Sequence, residues 1–540
     1  MTTPTITPYR PGQQAVRDGF AQLLWAEWTK FRTVRGWVIG MVVAALATVL
    51  LGLLIARGGS VTCQNGPTSP VLSGAACLPH VPLGPDGQAV TDQFYFVRRP
   101  LAVDGSVTVR VTSLTGLHAN GNVRAGQAGQ GLTKGVEPWS KAGIIIKAST
   151  RPGSAYAAMM VTGSHGVRMQ YDYTHDTAGL PGAVSPASPR WLRLTRSGDT
   201  IIGYDSADGT HWTKVGAARL ASLPATVQAG LFATSPGHTT VVSQSLGGGT
   251  NSGGPTLATA VFDHAMLSGP SPGGAWTGDP VGGNATGGAA SSGLQGFHQV
   301  GGRFTVTGSG DIAPLVLAAG GAFPISTIEQ GLVGAFAGLI AVIVVAVMFI
   351  TAEYRRGMIR TTLAASPRRG RVLAAKAIVA GAVTFVAGLA AAIVMVPLGN
   401  RLANANGSYV LPVTSLTELR VIAGTAALLA VAAVLALAIG TALRRSAGAV
   451  TAVIVVIVLP YILGTAAVLP VGAENWLLRV TPAAAFAIQQ SMPQYPQVTA
   501  GYPPTAGYFP LAPWAGFAVL CGYAALALGL ALYLLRRRDA

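Results

Sequence analysis

Residues 331–398 read GLVGAFAGLIAVIVVAVMFITAEYRRGMIRTTLAASPRRGRVLAAKAIVAGAVTFVAGLAAAIVMVPL, which is two long apolar runs separated by a basic segment. A helix needs about 20 apolar residues to cross the hydrocarbon core of a bilayer. The runs at 331–352 and 377–398 both reach that length, and 353–376 between them is rich in arginine. This stretch predicts two antiparallel transmembrane helices joined by a positively charged loop.

Four further apolar runs of similar length occur along the chain. They lie at 37–56, 421–443, 447–469 and 514–535. Half of the 540 residues are hydrophobic and 10% are charged, whereas a soluble domain carries about 25% charged residues. The sequence therefore predicts an all-α membrane bundle of six transmembrane helices, and Pro460 predicts a kink in the fifth.

The basic residues are distributed unevenly about these runs. With the N-terminus inside, arginines and lysines crowd the inner segments, while the two short outer loops hold only Arg401, Arg420 and Arg479. Positive charge beside transmembrane helices marks the cytoplasmic side. We expect both termini to be cytoplasmic, and the net charge of +17 to face membrane lipid rather than nucleic acid.

The segment 57–324 has a different character, since it is rich in Gly, Ser, Thr and Pro. Short alternating or β-branched runs such as SVTVRVTSL and WLRLTRSGDTIIGYDS recur, separated by turn signals such as Asp208-Gly209. Many short strands with this punctuation are typical of a sandwich or jelly roll. We predict an extracellular all-β sandwich inserted after the first helix, followed by five helices over 325–540 with an outer loop at 470–513.

Three cysteines are present. Cys63 and Cys77 follow the first apolar run, on the predicted outer side, where disulfides form. The pair is either a disulfide or two free thiols, because sequence spacing does not fix their distance. No zinc or other metal site is predicted, since no histidine cluster accompanies the cysteines.

The stretch GFAQLLWAEWTKFRTVRGW at 19–37 ends the predicted cytoplasmic segment 1–36 and reaches the first residue of the first apolar run. Phe20, Leu24, Trp28 and Phe31 recur with helical spacing, and Glu27, Lys30 and Arg32 supply the polar positions. Such a helix suits a membrane interface. We predict an interfacial elbow helix that breaks near Gly36, the alternative being a continuation of the first transmembrane helix.

Two segments resemble the ABC-2 permeases of high-GC Gram-positive bacteria. They are EWTKFRTVRGW at 27–37 and EYRRGMIRTTLAASPRRGRVLAAK at 353–376, and RVTPAAAFAIQQ at 479–490 also fits. The resemblance implies six spans per subunit, a homodimer or heterodimer of permeases, and a separate cytoplasmic ATPase that holds ATP and Mg²⁺. The chain itself has no P-loop, so we expect it to be no enzyme and to bind no cofactor.

The same resemblance assigns 353–376 as the loop that couples the permease to its ATPase. The implied coupling residues are Glu353, Tyr354, Arg355, Arg356, Arg360, Arg368 and Arg369. A short cytoplasmic element of this kind can transmit rigid-body motion. The alternative is that these arginines only fix topology and contact anionic lipid headgroups.

The inserted segment resembles a concanavalin-like or laminin-G-like jelly roll through WSKAGIIIKAS at 139–149 and WLRLTRSGDTIIGYDSADGTHWTKVG at 191–216. Such lectin-like domains bind glycans, in some cases through calcium, although no calcium ligands stand out here. Trp139, Trp191 and Trp212 are candidates for stacking on a sugar. The alternative is that these large aromatic side chains belong to the core.

Three functions are compatible with this organisation. The first is an export permease of the plasma membrane whose outer domain binds glycan or cargo. The second is a membrane-anchored glycan-binding or adhesion protein, with the helices as scaffold. The third, an envelope-polymer hydrolase, is disfavoured because no E-x-D-x-x-E pattern supplies the paired carboxylates of jelly-roll glycosidases.

Overall fold

The computed structural model describes residues 19–57, 62–63, 72–102, 104–119, 132–221, 223–243, 249–254, 256–269, 274–282, 294–316, 325–355, 357–358, 368–466, 468–498, 502 and 507–537. Two parts are evident in these ranges. One is a bundle of helices from both ends of the chain, and the other is a pair of packed β-sheets from its middle.

The helices are α1 Phe20–Thr33, α2 Arg35–Ala56, α3 Ala335–Arg355, α4 Arg369–Ala405, α5 Ser415–Leu443, α6 Ser446–Val453, α7 Leu459–Thr465, α8 Val471–Val480 and α9 Pro513–Arg537. All six predicted apolar runs overlap helices, although α4 extends well beyond its run at both ends and α8 lies in the predicted outer loop. Short 3₁₀ segments occupy Gly74–His80, Ile328–Gly334 and Pro482–Gln489. Within the described ranges, six helical segments are long and apolar enough to cross a membrane, which confirms the predicted membrane bundle.

The fifth of these segments, Ser446–Thr465, is irregular in the middle. A π-helical turn, Ile454–Val458, separates α6 from α7 and ends just before Pro460. Proline has no N–H to donate and its ring crowds the preceding turn, so the hydrogen-bond register shifts there. The predicted irregularity at Pro460 thus takes the form of a π turn.

Helices α2 and α3 approach each other closely through small residues. A side chain at Gly334 would begin 2.0 Å from the carbonyl oxygen of Thr48, and one at Gly338 would begin 2.2 Å from the Thr48 hydroxyl. Small residues permit this kind of backbone approach between membrane helices. The small-residue run at 334–338 therefore packs within the chain.

The segment Pro482–Gln489 is buried throughout. It lies beside α5, where Gly424 faces Ile488, and beside α9, where Gly516 faces the carbonyl of Ala484. The sequence predicted an outer loop over 470–513. Its apolar residues instead bury part of that stretch inside the bundle, because PAAAFAI carries no charge to hold it in water.

The described residues form strands β1 to β23, nearly all of them between α2 and α3 and the last one between α4 and α5. They are Thr62–Cys63, Leu72–Ser73, Val90–Asp92, Phe94–Leu101, Asp104–Ala119, Leu132–Lys134, Lys141–Lys147, Tyr156–Thr162, Val167–Tyr171, His175–Ala178, Arg190–Ser197, Thr200–Ser206, Thr213–Arg219, Val227–Thr234, His238–Ser243, Gly249–Gly254, Thr256–Ser268, Thr277–Val281, Gly296–Val300, Arg303–Gly308, Ile312–Pro314, Ile325–Ser326 and Tyr409–Val410.

Two antiparallel sheets pack face to face. The seven-stranded sheet has the order β10-β9-β8-β7-β14-β4-β18, and the eight-stranded sheet has the order β13-β12-β11-β5-β17-β20-β19, with β6 on β5. Apolar side chains alternate inward to form their shared core, among them Ile144, Met159, Leu192 and Phe262. The predicted β-sandwich is confirmed, while the finer jelly-roll and concanavalin-like assignment stays a prediction.

The second face of the seven-stranded sheet is also covered. Strands β3 and β21, which lie in the segments leading to and from the helices, pair with each other and pack over it. Two buried lysines of β7 fix this cover, since Lys147 pairs with Asp92 at 2.7 Å and Lys141 pairs with Asp311 at 2.7 Å. Charge buried on this scale is stable only when paired, so both linking segments are anchored to the sandwich.

The sandwich also contacts the bundle directly. The buried amide of Gln497 donates to the backbone carbonyl of Tyr173 at 2.9 Å. The Tyr409 hydroxyl, which lies in the link between α4 and α5, donates to the carbonyl of Gly87 at 3.2 Å. These contacts place the sandwich at the end of the bundle opposite the loop at 353–376.

Candidate functional site

Four charged side chains from three helices meet at one end of the bundle. Lys376 Nζ of α4 lies 2.6 Å from Glu27 Oε2 of α1 and 2.6 Å from Glu353 Oε1 of α3. Lys30 Nζ, one turn after Glu27, lies 2.8 Å from Glu27 Oε1 and 3.3 Å from Glu353 Oε1. We refer to these four residues as the ion-pair cluster.

Each member reaches the cluster because of its place on a helix. Leu24, Glu27 and Phe31 share one face of α1, and this face packs against the bundle. Glu353 lies in the last turn of α3 and Lys376 in the second turn of α4. The cluster therefore joins α1 to α3 and α4, the two helices that contain the ends of the segment 353–376.

Aromatic rings form the apolar side of the cluster. Lys376 Nζ lies 4.8 Å from the centre of the Phe349 ring, close enough for a cation–π contact. Phe349 in turn packs edge-on against Phe31 at 5.4 Å and Trp37 at 5.0 Å. The rings exclude water from the lysine and orient it toward the two carboxylates.

Burial makes the cluster energetically important. The side chains of Glu27 and Lys376 are 0% exposed, whereas that of Lys30 is 39% exposed. Burial lowers the pKa of Lys30, but hydrogen bonds and charges from Glu27 and Glu353 outweigh this and leave its pKa raised. Two cations thus balance two carboxylates in a largely dry setting.

A helix separate from α2 is present at Phe20–Thr33, while its position at a membrane interface stays a prediction, and two details differ from what we expected. The chain breaks at Val34, between α1 and α2, rather than at Gly36. Glu27 was predicted on the polar side of α1 but is buried, because Lys376 compensates its charge. Of the predicted apolar face, Phe20 and Trp28 are exposed, while Phe31 is buried and Leu24 is partly buried against the bundle.

The predicted coupling residues are placed in different surroundings. Glu353 is buried in the ion-pair cluster, and Tyr354 is half-buried beneath the Arg444 guanidinium. Arg355 is exposed at the end of α3, and Arg368 and Arg369 begin α4. Arg356 and Arg360 lie outside the described residues. The structure thus separates a buried anchor, Glu353, from the exposed arginines.

Sequence reasoning missed Glu27 and Lys376 as site residues. Lys376 entered the prediction only as the last residue of the segment 353–376, and Glu27 only as a polar position on a helix and the first residue of the segment 27–37. The available signal was a lone lysine in the apolar run VLAAKAIVA and a lone glutamate between Leu24 and Phe31 on one helical face.

The three tryptophans of the sandwich have different environments. Trp139 is 2% exposed and stacks on His165 at 4.1 Å, so it belongs to the interior. Trp191 and Trp212 are half-buried near the eight-stranded sheet. A guanidinium lies over each ring, Arg110 at 5.7 Å and Arg193 at 3.9 Å. Sugar stacking stays a prediction for Trp191 and Trp212 alone.

The remaining sequence predictions concern cysteines and metals. Cys77 is disulfide-bonded and Cys521 is free. The backbone of Cys63 pairs with Leu72 in β1 and β2, but its side chain lies outside the described part of the chain. Within that part, no group of three potential ligands among His, Cys, Asp and Glu is placed to hold a metal ion.

Comparison with known proteins gives one strong result. The family model described as ABC-2 family transporter protein matches residues 200–540. No curated protein matches the chain significantly.

Several solved structures align with part of the chain at low similarity. A functionally unknown protein from Saccharomyces cerevisiae is 15% identical, with 34% of this chain and 76% of that chain covered and a TM-score of 0.20. Scytalido-glutamic peptidase is 9% identical, with 41% and 98% covered and a TM-score of 0.25. The GH43 protein BlXynB from Bacillus licheniformis is 15% identical, with 24% of each chain covered and a TM-score of 0.16. These scores are too low to establish a shared fold.

Proposed function

Because this chain belongs to the ABC-2 family of transporter proteins, we propose that it is the permease subunit of an ATP-driven exporter powered by a separate cytoplasmic ATPase. The observation that carries this proposal is the ion-pair cluster. It fastens α1 to the two helices on either side of the loop at 353–376.

A loop whose two ends are bonded to each other can transmit a displacement to the helices that carry those ends. Glu353 and Lys376 are the first and last residues of the segment 353–376, and a contact of 2.6 Å joins them. Glu27 ties the same lysine to α1. A displacement of the loop would therefore move α1, α3 and α4 as one body rather than deform the loop alone.

The exposed side chains of this region form the proposed contact with the ATPase. Arg355 is exposed at the end of α3, Met358 is exposed just after it, and Arg368 is exposed just before α4. This combination of positive charge and one apolar side chain suits a groove that is acidic at its rim. Glu353 acts behind this surface as a positioning residue.

We place the loop on the cytoplasmic side of the plasma membrane, with both termini, and the sandwich outside. The excess of arginine at the loop end of the bundle supports this orientation. The subunit works as a dimer with a second permease, because a two-fold arrangement matches a pair of ATPases.

The outer sandwich is proposed to bind cargo or cell-wall glycan. The covered face of the seven-stranded sheet is closed by β3 and β21, so binding belongs to the outer surface near Trp191 and Trp212. The adhesion alternative is disfavoured, because one membrane helix is enough to anchor a lectin domain and the described residues include six.

The test is co-purification of the tagged full chain in mild detergent. We expect an ABC ATPase to accompany the wild type and to be lost from Arg355→Glu/Met358→Asp. The matched control, Arg401→Glu/Leu416→Asp, changes an exposed arginine and an exposed apolar residue at the opposite end of the bundle. It should retain the ATPase.

Absence of an ATPase from every sample would contradict the proposed function and favour the adhesion protein. Equal loss from both double variants would mean that general charge, rather than this surface, holds the partner.

A further inference from the structure

A cavity of about 480 Å³ lies between the first turn of α4 and the last turn of α9. It is lined by Arg368, Arg369, Gly370, Arg371 and Arg536. Four of these five residues are arginines and none is acidic. The volume falls within the range of small-molecule sites, about 300–1,000 Å³.

The two helices are held together at the base of the cavity. A side chain at Gly370 would begin 3.3 Å from a methyl group of Leu532, so the helices are in close contact there. The Arg369 guanidinium donates to the backbone carbonyl of Leu535. Arg371 and Arg536 are exposed at the mouth. The start of α4 and the end of α9 are therefore held together, while Arg371 and Arg536 of the cavity lining remain accessible to solvent.

An apolar surface lies along α9 and ends at Arg537, the neighbour in sequence of the cavity residue Arg536. Leu526, Leu530 and Tyr533 follow one another at helical spacing and are 75%, 54% and 49% exposed. Arg537, on the next turn, lies 4.7 Å from the Tyr533 ring. Since α9 is long and apolar enough to cross a membrane, these residues present a track for acyl chains that ends in arginines.

We propose that this cavity binds the phosphate of an anionic phospholipid, with the acyl chains along the exposed face of α9. Guanidinium groups match phosphate oxygens in pairs, and several of them favour a lipid with net negative charge over a zwitterionic one. Basic pockets between transmembrane helices are suited to such headgroups. The exposed apolar side chains of α9 favour a lipid over free phosphate, because inorganic phosphate has no apolar part that could contact them.

Lipid in this cavity would restrict the movement of the segment 353–376, because the cavity lies at the start of α4. Arg369 and Arg371 lie in the first turn of α4, and Lys376 of the ion-pair cluster lies on the same helix one to two turns later. A bound headgroup would fix the start of α4 against the end of α9. The inference concerns this chain and lipid alone, so it does not depend on the ATPase partnership.

The experiment uses the full chain in nanodiscs, either of phosphatidylcholine alone or of phosphatidylcholine with phosphatidylglycerol. Lipid retained on the protein is counted by native mass spectrometry after extraction. The variant is Arg371→Gln/Arg536→Gln, and the control is Arg401→Gln/Arg479→Gln, which removes two exposed arginines from the opposite end.

We expect the wild type to retain phosphatidylglycerol preferentially and the Arg371/Arg536 variant to lose about 10- to 30-fold in affinity, as two lost phosphate contacts predict. The control should keep the wild-type preference. Thermal unfolding of both variants in phosphatidylcholine shows whether they are folded. The single variant Arg536→Gln, which leaves α4 intact, should lose several-fold in affinity for phosphatidylglycerol.

Three outcomes would overturn the proposal. The wild type could show no preference for phosphatidylglycerol, or the two double variants could lose affinity equally. Excess inorganic phosphate could also abolish the preference in the wild type while leaving the Arg371/Arg536 variant unaffected, which would identify a site for free phosphate instead.

Discussion

Lys376 is the fully buried cation of the ion-pair cluster. It contacts two carboxylates at 2.6 Å and lies over the Phe349 ring, with no exposed side-chain surface. A buried ion pair adds little net stability, but removing one partner leaves the other charged and desolvated. The role of Lys376 is therefore to keep Glu27 and Glu353 compatible with burial.

We predict that Lys376→Met destabilises the bundle by about 3–5 kcal/mol, because two buried carboxylates lose their principal cation. Lys30→Met should cost about 1 kcal/mol or less, since Lys30 is 39% exposed and Lys376 still pairs both carboxylates. Thermal unfolding of the detergent-purified chain measures both.

The triple variant Glu27→Gln/Glu353→Gln/Lys376→Met serves as the control. Without charges to desolvate, it should recover part of the stability lost in Lys376→Met. Equal unfolding temperatures for Lys376→Met and Lys30→Met would show that the cluster is not the buried anchor described above.

At the scale of elements, the contact between α2 and α3 depends on the absence of side chains. The carbonyl of Thr48 occupies the space that a side chain at Gly334 would need. Backbone cannot move aside as the end of a flexible side chain can, so Gly334 is a position where the fit of the two helices tolerates no side chain.

We predict that Gly334→Ala destabilises the bundle by about 2–3 kcal/mol, because α2 must shift to admit the new methyl group. Gly448→Ala is the matched change, since a side chain at Gly448 meets nothing within 4 Å. It should be neutral or slightly stabilising in a helix. Unfolding temperature and the folded fraction on size-exclusion chromatography report the difference, and similar behaviour of the two variants would refute the close contact.

At the scale of the whole molecule, the sandwich and the loop at 353–376 lie at opposite ends of the bundle. The sandwich is fixed to its linking segments by Lys147–Asp92 and Lys141–Asp311, and to the bundle by Gln497. Movement of the helices at one end would thus reach the sandwich through several contacts rather than through a loose tether.

The proposed orientation predicts which residues face the outside of the cell. In a background with Cys521 replaced by Ser, Ala187→Cys in the sandwich should react with an impermeant maleimide on intact cells. Ala447→Cys, at the start of α6, should react only after the membrane is opened. Both positions are exposed, so exposure does not distinguish them, and labelling of Ala447→Cys on intact cells would reverse the proposed topology.

The class of protein and the approximate positions of the six membrane helices followed from the sequence, whereas the bounds of the individual strands did not. A run of about 20 apolar residues has few alternatives to a membrane helix, and α2, α5 and α9 begin and end within a few residues of the predicted runs. The alternating strands between 57 and 324 likewise identified the sandwich, since their period of two is a local property.

The tertiary structure alone decided which residues meet. Glu27 and Lys376 are 349 positions apart, and although each is a lone charge among apolar residues, nothing in the local pattern shows that the two meet. The cover of β3 and β21 over the seven-stranded sheet and the burial of Pro482–Gln489 also depend on distant partners. Local patterns fix helices and strands because hydrogen bonding and hydrophobic periodicity act between near neighbours. Ion pairs and packed surfaces join distant parts of the chain, so the sequence pattern could not reveal them.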